Sequence, residues 1–157
     1  LGESALPAIF SVATFTGYSS SDYNGFRPNP GAEYSFQWNA PPAGVVADFT
    51  GPGHDARLET RRFATLAEYS QTTGQDRNSV LVDYDIFMNV PKLDARADPA
   101  TVQRLYRAGD FDFRLKPDAA AVDRGVALPN VNDGFAGRAP DLGALEVGAA
   151  PPHYGPR

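Results

Sequence analysis

Glycine and proline punctuate this chain so often that no long regular element fits between them. Fifteen glycines and 14 prolines fall among 157 residues, where a usual chain carries about 12% of the two together. Each proline removes a backbone donor and each glycine loosens the chain, so short strands joined by many turns are expected. The content stays below the level that signals disorder. Ten Phe, seven Tyr and one Trp supply material for a core. A domain of this length buries roughly 68–70% of its unfolded surface.

Fourteen basic against 19 acidic side chains give a net charge of −5, and Arg61-Arg62 is the only adjacent basic pair. Neither nucleic acid nor an anionic membrane is therefore an expected partner, because no positive field is available to either. Cysteine is absent, which excludes disulfides, thiolate zinc sites and cysteine nucleophiles. The sequence starts at Leu1 rather than Met, which reads as a start that was processed, trimmed or cut from something longer. Its longest uncharged apolar stretch, Ala5 to Thr16, contains a proline and has no basic flank. It fits a buried strand pair better than a membrane span or a signal peptide.

Strand periodicity is clearest where Tyr34, Phe36 and Trp38 alternate with Glu33, Ser35, Gln37 and Asn39, between proline-rich borders. Ser79 to Val90 is a second run, and Phe111, Phe113 and Leu115 mark a third. Phe10–Phe15, Arg57–Phe63 and Leu142–Val147 are shorter candidates. Two helices announce themselves by their caps. Thr65 and Glu68 form a capping box closed by Gly74, and Asp98-Pro99 opens a helix whose Val102, Leu105 and Tyr106 share a face before Gly109. The connections Tyr18–Gly31, Pro41–Ala56 and Leu128–Asp141 are long and uneven. Such loops suit a solenoid, whose coils tolerate insertions, better than a sandwich with tight hairpins, although no internal repeat is evident.

The stretch from Asp112 through Phe113-Arg114-Leu115 to Ala121-Val122-Asp123-Arg124-Gly125, followed by Ala139-Pro-Asp-Leu-Gly-Ala-Leu-Glu146, resembles the closing segment of secreted bacterial right-handed parallel β-helix proteins. Ser21-Asp-Tyr-Asn-Gly-Phe26 resembles a strand-to-turn phrase of the same solenoids. The likeness covers Asp110–Arg157 closely and Ser20–Trp38 more loosely. Ala119-Ala120 departs from the Ser-Pro usual in that family. The resemblance implies a mainly β chain, residues 1–157 forming one β-solenoid domain or fragment of a right-handed parallel β-helix. Its terminal coils would carry long loops and two short α-helices, with residues 110–157 as closing strands and tail. It also implies a secreted or periplasmic protein related to polysaccharide lyases, glycoside hydrolases or carbohydrate binders. About three to five coils would fit. Their open end around Ile9–Phe15 would then stack on upstream coils or on a second copy. The expected function is polysaccharide binding or degradation; the alternative is a non-catalytic cap or assembly module.

No nucleophile elbow, zinc-protease motif, phosphate loop or dinucleotide fingerprint is present. His54 and His153 sit in separate loop-like stretches, which nearly excludes histidine-ligated metal chemistry. Asp83 and Asp85, at i and i+2 of a strand about 7 Å apart, could flank a sugar bond as acid and base or hold a hard cation. The simpler alternative is that they form the solvated face opposite Val82, Tyr84 and Ile86. Asp110 and Asp112 repeat that geometry. Asp133, Asp141 and Glu146, near Asn132 and Gly134, are weak candidate Ca²⁺ ligands, Ca²⁺ being the one cofactor considered; Asx turns explain Asn132 and Asp133 without any metal. Tyr18, Asp22, Tyr23, Asn24 and Arg27, with Tyr34 and Trp38, form the preferred carbohydrate cluster. Rings stack on sugar C–H faces while the polar groups bond hydroxyls, and Arg27 would neutralise a uronate. Tyr34 and Trp38 are alternatively core residues at strand spacing.

Overall fold

The structure, a computed structural model, describes residues 8–14, 19–42, 45, 58–92 and 98–150. The chain divides into two compact units. The first comprises Ser4–Asp22 and Pro28–Arg77, and the second comprises Leu1–Glu3, Tyr23–Arg27 and Asn78–Arg157.

In the first unit the aromatic alternation becomes strand β3 (Phe36–Ala40), whose Phe36, Trp38 and Ala40 face inward. Strand β1 (Phe10–Ala13) lies parallel to β3 on one side, and β4 (Glu59–Phe63) lies antiparallel on the other. The registers align Phe10, Phe36 and Phe63 in one row. Helix α1 (Leu66–Thr73) lowers Tyr69 onto that row. Tyr69 has no solvent exposure and stands 5.1 Å from Phe36, 5.7 Å from Phe63, 6.1 Å from Trp38 and 6.2 Å from Phe10, centroid to centroid. Each such ring pair contributes about 0.5–1.5 kcal/mol beyond area burial. The helix starts where expected, with the Thr65–Glu68 capping box formed and Gly74 left-handed at its end. Just beyond it Gln75 and the buried Asp76 clamp Ser21: the Ser21 amide donates to Gln75 Oε1 at 2.8 Å, and the Asp76 amide donates to the Ser21 carbonyl at 2.7 Å. Burial first, then the neighbouring Asp76 carboxylate, pushes the Tyr69 hydroxyl well above its ordinary range.

In the second unit β2 (Gly25–Phe26) pairs in parallel with β5 (Val80–Leu81). The run expected as one strand over Ser79–Val90 breaks after β5. Asp83 accepts from the Tyr84 amide and caps a single 3₁₀ turn, Tyr84–Ile86, before β6 (Phe87–Asn89) resumes. A carboxylate able to bond its own neighbouring amide offers the backbone an alternative to the ladder. Helix α2 (Pro99–Gln103), capped by Asp98, is shorter than the sequence suggests, and Leu105 beyond it is exposed. Strand β7 (Asp112–Leu115) pairs antiparallel with β6 across a bulge. Phe87, Phe111, Phe113 and Tyr106 form a chain of ring contacts beside that strand pair. Downstream, Ala121–Gly125 is laced to Pro140–Leu142. Gly125 N donates to Pro140 O at 2.6 Å, Leu142 N to Ala121 O at 2.9 Å, and Asp123 N to Asp141 Oδ1 at 2.8 Å.

The right-handed parallel β-helix is overturned. Among the described residues seven short strands fall into three small sheets, β1-β3-β4, β2-β5 and β6-β7, and they form no solenoid. A solenoid rung requires parallel neighbours throughout, whereas β3 has one parallel and one antiparallel partner and β6–β7 is antiparallel. Strands of two to five residues leave too little ladder to stack coil upon coil. Leu142–Val147 is not a strand either: its Leu142 amide bonds the Ala121 carbonyl and its Val147 amide bonds a side chain. Asp141 Oδ2 accepts from Val147 N at 2.7 Å, and Glu146 Oε1 accepts from Asp141 N at 2.9 Å. No helix among the described residues is long and apolar enough to cross a membrane.

Candidate functional site

The kink after β5 and the turn after β7 together frame an open groove of about 480 Å³. Asp83 and Asp85 enter it from the 3₁₀ turn, and Lys116 and Asp118 enter from the Lys116-Pro117-Asp118 turn. The Lys116 amide donates to Ile86 O at 2.8 Å and holds the two turns together. Val82, Ile86 and the small Ala119 and Ala120 supply apolar surface. A volume in the range of about 300–1,000 Å³, with a few convergent polar groups on apolar walls, is typical of sites for small ligands.

Next to the groove, Arg27 follows β2 and stacks its guanidinium over Tyr84, 4.8 Å from the ring centroid. Its Nε donates to Asp83 Oδ1 at 2.5 Å, and its side chain is only 18% exposed. That bond from Arg27, then the Tyr84 amide, then the positive charges of Arg27 and Lys92 hold the Asp83 carboxyl below the usual range. Asp83 is thus committed to an ion pair and a cap, and it does not share a strand face with Asp85 as an acid–base pair. Asp85 is exposed on the groove wall.

The other expected site residues are dispersed. Tyr18, His54 and His153 lie outside the described residues. Trp38 is 5% exposed and Asp22 is exposed, and both belong to the first unit. Trp38 therefore serves the core and does not offer a ring to a sugar. Tyr34 carries the Arg62 guanidinium, 4.8 Å from its centroid. Tyr23, at φ 58°, and Asn24 join Arg27 in the second unit, and the Asn24 amide donates to Ser79 Oγ at 2.8 Å. Asp110 and Asp112 are engaged by arginines. Arg104 meets Asp110 at 3.1 Å, and Arg114 forks onto Asp112 at 2.6 Å. The fork, reinforced by the Arg114 amide, lowers the Asp112 carboxyl to about 2.

The proposed Ca²⁺ ligands act as turn fasteners. Asp141 accepts from the amides of Asp123 and Val147, Asp133 accepts from Asn130 N at 3.0 Å, and Glu146 accepts from Asp141 N. Among the described residues no group of three or more histidines or carboxylates is gathered to hold a metal ion. Sequence reasoning passed over Lys116 and Asp118. Their Lys-Pro-Asp turn directly after an alternating strand was the available signal. No family model, curated protein or solved structure matches this chain.

Proposed function

We propose that the second unit binds a polysaccharide segment in the groove bounded by Asp83, Asp85, Lys116 and Asp118. The supporting observation is that open cleft of about 480 Å³, with carboxylates and an ammonium on apolar walls beside the stacked Arg27–Tyr84 pair. Carboxylates accept from vicinal sugar hydroxyls, Lys116 donates to them, and the alanine and isoleucine surface meets the C–H faces. Asp83 is tied to Arg27 and the Tyr84 amide, so recognition fits this arrangement better than cleavage by a paired acid and base. The test is NMR titration of the intact chain with neutral and uronate oligosaccharides, following the Lys116, Ala119 and Ala120 amides. Saturable shifts at these amides, weakened at least five-fold by Asp85→Asn and by Lys116→Ala, are expected. Absence of binding across the panel, or binding indifferent to both substitutions, refutes the reading.

A further inference from the structure

A second open cavity, of about 560 Å³, adjoins the first: Ala119 and Ala120 line both. Its remaining wall carries Val122, Asp123, Arg124 and Arg138. The sign of the charge changes between the two. The first cavity sets Asp83, Asp85 and Asp118 against Lys116, with Asp83 matched by Arg27. The second sets two guanidiniums against the single carboxylate of Asp123.

The basic end is built on a tightly specified loop. Asp123, itself left-handed at φ 55°, accepts from Arg138 N at 2.7 Å and from Ala139 N at 3.2 Å. Gly137 stands at φ 105°, and a Cβ there would collide with the Asp123 carboxylate. A side-chain-bearing residue in the left-handed region persists only where its surroundings over-determine it, and such residues gather at functional sites. The Arg138 side chain is 90% exposed and meets Asp123 only through Nε, at 3.4 Å. Its Nη edge remains available for a fork-like pair with an oxyanion. Arg124 is exposed on the same wall.

Resting on the glycan reading above, we infer that the two cavities form one extended site across Ala119 and Ala120, in which Arg124 and Arg138 bind an anionic substituent of the glycan. The charge reversal orients the ligand. Its hydroxyl-rich portion lies by Asp85 and Asp118, and its carboxylate or sulfate ester lies at the arginines. Ala120 is exposed and small, a low ridge that a chain can cross.

The experiment measures affinities of matched neutral, uronate and sulfated oligosaccharides, two and four residues long, for the intact chain and two variants. Arg124→Gln/Arg138→Gln should lower affinity for the anionic four-residue ligands at least ten-fold more than for their neutral counterparts. The uronate and sulfated arms separate carboxylate from sulfate ester recognition. Ala120→Trp, which raises a bulky ridge at an exposed position, should abolish the affinity advantage of four-residue over two-residue ligands, both measured on that variant. Circular dichroism melts confirm that the variants fold. If the double variant binds anionic and neutral ligands as the parent does, or loses both equally, the inference falls while the groove proposal stands. Four-residue ligands indifferent to Ala120→Trp also overturn it. If no oligosaccharide binds the parent chain, the groove proposal and the inference fall together.

Discussion

Gly125 offers a sharp test of how the tail is held. A Cβ built there would lie 2.7 Å from the Pro140 carbonyl oxygen, 3.1 Å from its Cβ and 3.2 Å from its carbonyl carbon. Those neighbours cannot swing aside, since two of them are backbone atoms. The same carbonyl already accepts from Gly125 N at 2.6 Å, and the next residue, Asp141, is fastened through both carboxylate oxygens. Alanine suffers no left-handed strain at this position, so the cost is steric alone. Overpacking a well-filled site costs about 1–3 kcal/mol, and the rigid obstacle places Gly125→Ala at about 2–3 kcal/mol. With Tm moving about 4–8 °C per kcal/mol in a unit of this size, the melt should fall by about 8–24 °C. Gly134 is the control: a Cβ there meets nothing within 4 Å, and Gly134→Ala should change stability by less than about 1 kcal/mol. Thermal and urea unfolding by circular dichroism measure both. Native-state hydrogen exchange at Leu142, whose amide bonds Ala121 O, locates the loss. A Gly125→Ala melt within about 2 °C of the parent with Leu142 protection intact, or an equal loss in Gly134→Ala, refutes the close-approach argument.

Trp38→Ala should cost about 3–5 kcal/mol through the lost core ring. In the parent chain its fluorescence should be that of a buried indole, unmoved by saturating oligosaccharide; a ligand-induced spectral shift would contradict its assignment to the core. The Asp112 carboxyl should titrate near 2 by NMR and return toward the ordinary value in Arg114→Ala. Its folded pKa is depressed, so its contribution to stability is present above the unfolded value near 3.9 and is lost as pH falls through about 2. Asp112→Asn should remove that part of the acid dependence. An ordinary Asp112 titration in the folded parent would show that the Arg114 fork is absent in solution.

What could be read from the sequence was local. The Phe36–Trp38 alternation and the Thr65–Glu68 capping box depend on neighbours within five residues, and both took the expected form. Pairing was not local. β2 meets β5 more than fifty residues downstream, and no short-range pattern distinguishes a parallel from an antiparallel partner. The Asp83–Asp85 and Leu142–Val147 readings failed for one reason: side-chain carboxylates bonded nearby amides and displaced the strand they were expected to decorate. For the candidate site, Asp83 and Asp85 stood out by strand spacing and Arg27 by its aromatic and polar neighbours, whereas the long-range ion pair that joins Arg27 to Asp83 left no local trace. Lys116 and Asp118 escaped notice because a turn and not a periodicity places them. Arg124 and Arg138 were missed because a loop closure fifteen residues wide brings Arg138 back to Asp123.

The chain path also governs how this protein can be divided. Tyr23–Arg27 belongs with Asn78–Arg157 although the residues between them build the other unit. A truncation starting at residue 78 would remove the partner strand of Val80–Leu81 and the guanidinium that holds Asp83. Cutting the gene at the obvious boundary would therefore yield a fragment with a missing splint, and a synthetic peptide spanning residues 20–30 is the piece that should restore it by complementation.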